Sequence, residues 1–448
     1  MLYHKTNVDS DIRFSFIHIS DLHFHTESID ASVFRKKIKD KINEMRIDPD
    51  FLIISGDIFH QGTLSATTLS DIQRYIARLP ETQIYVAPGN HDLDRLAREP
   101  IKNSYNEYQT CQKIIMDKSK YLPTGTGEFS LSEAEKEVLY RGAFGGFHSL
   151  LKKIPVIPFT SNEEALYASN YEVSIQYAQI KNSPYCVRLV LLNTALIAGQ
   201  SIRGQEYRRK LADLKKESQT ALDSGDYVKA AEIQLKLAKI QKLFEDHGEV
   251  IIDEEMQSVE KCGRMSLSKD GLTILSDIAA YDPQKGNNIE VLTTLFVGHH
   301  GYDYLSSATQ KALGLAMTEC QSGIYLCGHA HQPRYKKFDL HPNSAPEVIQ
   351  QFQAGGLFQD DTGYAQCSFN YGQFTYSPNR AKGEGKIYSY FMLDLPSGES
   401  EWYRECVACD SSSSFSARLS KKNDASIEPD IKKSGLSTIG PATTGNIF

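Results

Sequence analysis

No stretch of the sequence approaches the ~20 consecutive apolar residues that a helical membrane span needs, so the expectation is a protein with no membrane partner. The opening residues, Met1 to Ser10, are polar and contain no apolar signal core, and nothing in the pattern points to secretion. Positive charge is in short supply. Lys and Arg number 49 against 56 Asp and Glu, a formal net charge of -7, which argues against holding nucleic acid by a broad basic face. An anionic substrate then has to be attracted locally. The eight cysteines, at 111, 186, 262, 320, 327, 367, 406 and 409, form no dense framework and read as reduced thiols, so the expected location is cytoplasmic. Cys406 and Cys409 have the spacing of half a zinc site, but no second pair lies nearby. No repeat at solenoid spacing is present.

What is present is a rhythm of short apolar runs and amphipathic segments. Runs at 14–19, 51–54 and 84–86 are separated by helical patterns through Val33, Ile38, Ile42 and Met45 and through Leu69, Ile72, Ile76 and Leu79. This predicts β-α-β-α-β with a parallel-type sheet covered on both faces. Residues 99–182 break the rhythm and read as a lid-like insertion. Strand-like runs resume at 186–192, 290–297, 324–327, 348–353, 386–393 and 402–407. Between the first two, residues 207–246 carry Ala230, Ile233, Leu237, Ile240 and Phe244 at spacings of three and four, one apolar stripe of a helical hairpin that turns at 223–226. That stripe could be covered within the hairpin, by a second copy or by a partner protein, and the expectation is an oligomer or a protein complex formed through 207–246. Residues 410–448 hold almost no large apolar side chains and are expected to be a flexible tail. The core is therefore read as 11–407, interrupted by the two insertions.

Five motifs each follow an apolar run: Asp21-Leu22-His23, Gly56-Asp57, Gly89-Asn90-His91-Asp92, Gly298-His299-His300 and Gly328-His329-Ala330-His331. Loops at the carboxyl ends of strands in an α/β sheet converge on ligands, so residues some 300 positions apart can meet. Imidazole mixed with carboxylate suits a pair of divalent transition ions, Mn foremost, with Fe or Zn as alternatives. Asp57, with two oxygens and a central place in the set, is the natural bridge. Asn90 adds only a neutral carbonyl oxygen and so limits negative charge. His18, His25, His60 and His148 read as bystanders, and His300 as a neighbour of a ligand rather than a ligand.

These motifs resemble those of the calcineurin-like metallophosphoesterase superfamily, in particular a bacterial branch. The flanking residues that carry the likeness are Pro88 to Arg95, Leu192-Asn193-Thr194, His299 to Leu305, Ala354-Gly355 and Ser368-Phe369-Asn370, with Gly301 where that branch usually has proline. The resemblance implies a metallophosphoesterase-type α/β sandwich. It implies one metal on Asp21, His23, Asp57 and His331 and another on Asp57, Asn90, His299 and His329. It also implies a non-ligand His91 beside the scissile phosphate, oriented by Asp92. Beside these, the Asp94-Arg95 pair either contacts a phosphate oxygen, with Arg95 as the candidate substrate contact, or merely caps a helix after the motif. The function expected is dinuclear hydrolysis of phosphate esters, as a phosphodiesterase or phosphatase on nucleotide-like substrates. A nuclease working on DNA or RNA, within a multiprotein complex, is the alternative, and a metal-free binding scaffold is a third reading. The hairpin resembles, over a short match at Gly225-Asp226-Tyr227 and Lys229-Ala230-Ala231, a helical hairpin in subunits of the bacterial excision-repair nuclease.

Overall fold

The computed structural model describes residues 11–24, 29–59, 64–93, 130–132, 144–157, 159, 171–196, 214–239, 265–281, 290–330, 334–340, 348–355, 358–359, 365–377, 382–394 and 400–409. The tail at 410–448, most of 99–182, the ends of 207–246, and His25, His60, Asp94, Arg95 and His331 lie outside the described residues.

Two mixed sheets carry the fold. The first runs β13-β12-β11-β1-β2-β3, with the short β10 on β11; the second runs β4-β5-β6-β7-β9-β8. The strands are β1 Ile12–Ile19, β2 Phe51–Ser55, β3 Gln83–Ala87, β4 Val173–Gln179, β5 Tyr185–Leu192, β6 Glu290–Gly298 and β7 Ile324–Cys327. They continue with β8 Arg334–Asp339, β9 Val348–Gln353, β10 Phe358–Gln359, β11 Ala365–Ser377, β12 Lys382–Asp394 and β13 Ser400–Cys409. The expected β1-β2-β3 block is parallel, with every residue of β2 buried, as a strand covered on both faces should be. The sheet as a whole is mixed. β11 lies antiparallel against β1, and β12 and β13 extend that antiparallel half.

The helices are α1 Ile29–Glu44, α2 Ala66–Ile76, α3 Gly145–Leu151, α4 214–223, α5 227–239, α6 Lys269–Ser276 and α7 Ser307–Cys320. One apolar cluster joins Phe14, Phe16 and Tyr85 of the first sheet to Val187, Leu189 and Leu295 of the second; another packs Val190, Phe296 and Tyr325 against α6 and α7. Two segments read as lid belong to this body. β4 pairs with β5 along the whole of Val173–Gln179, and Phe147, Leu150 and Leu151 of α3 are in the first cluster. The boundary 99–182 is therefore too wide, because alternation over seven residues is a weak signal beside an irregular neighbourhood.

The hairpin forms over 214–239, and the described part of its stripe is covered from within. Ala230, Ile233 and Leu237 of α5 pack with Ala221 and Leu214 of α4, Gln234 Nε2 donates to Ser218 Oγ at 3.2 Å, and Lys229 meets Glu217 at 3.5 Å. Ile240 and Phe244, the rest of the stripe, lie outside the described residues. Val228 and Leu235, on the far side of α5, are 75% and 62% exposed.

Candidate metal centre

The motif loops meet at the carboxyl ends of β1, β2, β3, β6 and β7 because they are tied to one another through the backbone. Asp21 N donates to Gly56 O, His23 N to Asp57 O and Gly328 N to His299 O, at 2.9–3.1 Å. Asp21, His23, Asp57 and His329 all have positive φ, between 42° and 71°. A left-handed backbone at four non-glycine residues is costly, on the order of 1 kcal/mol or more each, and such strain gathers where surrounding structure fixes a functional geometry. The motif glycines are required by close approach: a Cβ on Gly89 would stand 2.2 Å from Asp57 Oδ1, and one on Gly328 2.5 Å from Asp21 Oδ2.

Asp57 is the centre of the cluster. Its Oδ1 accepts the His91 backbone N–H at 2.7 Å. Its Oδ2 is buried, lies 3.2 Å from His299 Nε2 and 3.9 Å from both His23 Nε2 and His91 Nε2, and receives no hydrogen bond of good geometry. Burial alone would raise this carboxyl, but the charges of His299 and His23 overcome it and hold it at about 2. His299 is the counterpart. Burial lowers it, while Asp57 and then Asp21 raise it to about 9. His299 Nδ1 donates to Ser55 O at 2.8 Å, since a carbonyl can only accept, which leaves Nε2 facing Asn90 Oδ1 at 2.8 Å and Asp57 Oδ2.

Two triads offer three ligand atoms within 4.8 Å of one another: His23, Asp57 and His91, and Asp21, Asp57 and His299. Both include Asp57. A buried carboxylate oxygen ringed by imidazole nitrogens fits cations better than it fits packing, so the residues present suit a metal pair. Asn90 stands beside His299, and the ring of His329 lies 5.2 Å from that of His299 and 4.4 Å from that of His300. His91 falls within the first triad rather than apart from it, and its side chain is 16% exposed against 8% for His23 and none for His299.

Asp92 is placed differently from its expected role of orienting His91. Its two oxygens accept the backbone N–H groups of Asp57, Ile58, Phe59 and Gly89 at 2.9–3.3 Å. Burial and the Asp57 charge push it up to about 7, against the pull of these donors. Asp92 therefore clamps the Asp57 loop to the Gly89 loop. The motif alone cannot distinguish a carboxylate that serves an imidazole from one that serves backbone.

Three residues support the site in ways that were not read from the sequence. Arg35 of α1 donates to Leu22 O at 2.7 Å and His23 O at 3.0 Å, holding the first loop. Thr194 Oγ1 accepts the N–H groups of His299 and His300 and meets His300 Nδ1 at 3.0 Å. His18, read as a bystander, is fully buried and pushed down to about 3, chiefly by burial. A histidine with a lowered folded pKa adds stability that is complete above its unfolded pKa near 6.5 and is lost as pH falls below it. Denaturant unfolding is accordingly expected to show about 2 kcal/mol less stability from this group at pH 5 than at pH 7, and His18→Gln should flatten that slope. A slope unchanged by the substitution would refute the assignment.

Residues 14–157 match the model of the calcineurin-like phosphoesterase family. A Bacillus subtilis (strain 168) protein described as metallophosphoesterase-like is 32% identical over 124 residues, 25% of this chain and 26% of that one. A Ruthia magnifica subsp. Calyptogena magnifica protein named "Probable cyclic nucleotide phosphodiesterase" is 37% identical over 158 residues, 33% of this chain and 64% of that one. The chain thus spans about a quarter of one relative and just under two thirds of the other. The solved structure of Chaetomium thermophilum Vps29 aligns at a TM-score of 0.30 and 8% identity over 89% of this chain and 99% of that one, a likeness too slight to carry weight. The segment 14–157, whose motifs meet at Asp57, is thus similar to the calcineurin-like phosphoesterase family.

Proposed function

We propose that the protein is a dinuclear metal-dependent phosphodiesterase acting on nucleotide-like substrates, with Mn as the working metal. The observation that carries this reading is Asp57: one buried carboxylate belongs to both ligand triads, and its inner oxygen is ringed by three imidazoles. Asp21, His23, Asp57 and His331 would hold one ion and Asp57, Asn90, His299 and His329 the other. When bound, such a pair supplies neutralisation of phosphoryl charge and activation of water. His299 is presented to the site by Ser55 O, Asp57 is held by Asp92, and His91, the most exposed of the three histidines around Asp57, would protonate a leaving oxygen.

The chain's net charge of -7 supports a small anionic substrate over a long nucleic-acid strand, and so does the name of the Ruthia magnifica relative. The test is Mn-loaded protein against cyclic nucleotides, model diesters and monoesters, and single- and double-stranded nucleic acid. Preference for a strand over every small diester would replace this reading with the nuclease.

His91→Ala is expected to retain both metals while losing ~100-fold in turnover on a diester with a poor leaving group. The loss should be far smaller with nitrophenolate, which needs no proton. Loss of one metal would instead make His91 a ligand, and equal losses on both substrates would remove the general-acid role. Among the described residues, the outer face of α5 offers Tyr227, Val228 and Leu235 to a partner engaging 207–246. Replacing 207–246 with a Gly-Ser linker should then lower the mass seen by light scattering, and an unchanged mass, alone and with candidate partners, refutes assembly through this segment.

A further inference from the structure

We propose that Ser389, Asn370 and His18 are positioning residues of the metal centre, a one-way hydrogen-bond relay running from β12 through β11 and β1 to Ser55, two residues before Asp57; this rests on the metal-binding reading above. The four side chains occupy adjacent strands: His18 lies opposite Asn370, and Asn370 opposite Ser389. All are buried, with exposures of 0% for His18, Asn370 and Ser55 and 6% for Ser389. Phe14 and Phe16, on the same face of β1 as His18, are apolar and packed in the core. The face turns polar only at its end, at His18 and then Ser20 just before Asp21. Apolar residues of similar shape would serve packing at least as well there, so the polar row calls for another role.

The direction of each bond follows from what each atom can do. Ser389 Oγ donates to Asn370 Oδ1 at 2.7 Å, which leaves the amide nitrogen to donate to His18 Nδ1 at 3.1 Å. A neutral imidazole that accepts at Nδ1 carries its proton on Nε2, and this nitrogen meets Ser55 Oγ at 2.8 Å. Ser55 is thereby held by its side chain, while its carbonyl accepts from His299 Nδ1 at 2.8 Å and from Ser20 Oγ at 3.1 Å. The carbonyl that fixes the His299 tautomer thus sits at the end of a chain anchored some 300 residues away. This gives a physical role to Asn370 in the Ser368-Phe369-Asn370 motif, while Ser368 Oγ ties down Gly355 at 2.6 Å.

Asn370→Asp tests the relay, because an aspartate has no N–H to give and must take the proton from His18 Nδ1. Nitrogen NMR of the imidazoles is expected to show His18 protonated on Nε2 in the parent and on Nδ1 in the variant, with the His299 ring resonances displaced even without metal. Calorimetric titration with Mn²⁺ should show affinity reduced ~10-fold or more, the usual effect of losing an outer partner of a ligand. Ser55→Ala removes one oxygen, keeps the fold if Asn370→Asp does not, and should give the same loss, with the double variant no worse than either single. The proposal is overturned if the parent carries the His18 proton on Nδ1, or if both variants bind Mn²⁺ within ~2-fold of the parent. A parent that binds no Mn²⁺ refutes the metal reading instead; the relay is then decided by the His299 resonances of Ser55→Ala, and unchanged resonances sink it.

Discussion

Asp57→Asn is expected to remove both metals and to lower turnover by at least ~10³-fold, because the lost interaction is made to both ligand triads at once. The amide oxygen can still accept the His91 N–H. Its nitrogen, however, would take the place of Oδ2 and present hydrogens to the imidazole nitrogens that surround it. His299 would lose the charge that raises its pKa. The metal-free fold should weaken as well. The charges of His299 and His23 hold the Asp57 carboxyl low and outweigh the neighbouring carboxylates, so its ionised form stabilises the fold at neutral pH and an amide cannot replace it. The variant's melting temperature without metal should therefore be lower than the parent's, and the rise on adding Mn²⁺ should disappear. Elemental analysis showing two metals per chain together with full activity would end the assignment.

Gly89→Ala is expected to destabilise the protein by ~3 kcal/mol and abolish metal uptake, through overpacking and broken buried hydrogen bonds. The added Cβ would lie 2.2 Å from Asp57 Oδ1 and 2.4 Å from Asp57 N. Neither can retreat freely, since Asp57 N is held by Asp92 and Asp57 Oδ1 by His91 N. The Gly89 loop must move instead and give up its own bond to Asp92. Gly145→Ala is the control: a Cβ there meets nothing within 4 Å, and its stability should stay within about 0.5 kcal/mol of the parent. Urea titrations of the two variants that coincide would show that close approach at Gly89 is not needed.

The strands that bear motifs were legible because each is a short apolar run ending in Gly, Asp or His; β2 and β7 are buried throughout. β11 was not, although at 13 residues it is one of the two longest strands. Ser368, Asn370 and Gln373 interrupt its apolar character, and Gly372 is there because a Cβ would strike the Phe16 ring at 2.3 Å. β4 alternates as a strand should but was absorbed into the lid. The motifs that meet at Asp57 could be picked out in the sequence, but the left-handed backbone at Asp21, His23, Asp57 and His329 could not, since it follows from the loops pairing with one another. The Asp92 clamp was misjudged for the same reason: its partners are main-chain groups, which leave no mark in the sequence.

The antiparallel pairing of β1 with β11 sets an order of events during synthesis. His18 has its partner at Asn370, so the strand that carries the first motif keeps an open edge until more than four fifths of the chain has been made. Contacts of such long separation form slowly, and an open edge is a place where nascent chains join each other. Asp21, His23, Asp57, Asn90 and His91 emerge from the ribosome early but cannot be locked into their final arrangement until β11 arrives. A ribosome stalled before Ser368 would already have made every motif residue, His299 and His329 included, yet would hold them on a sheet with one edge still open. The order of synthesis thus sets when the candidate metal centre is closed in, not only which residues build it.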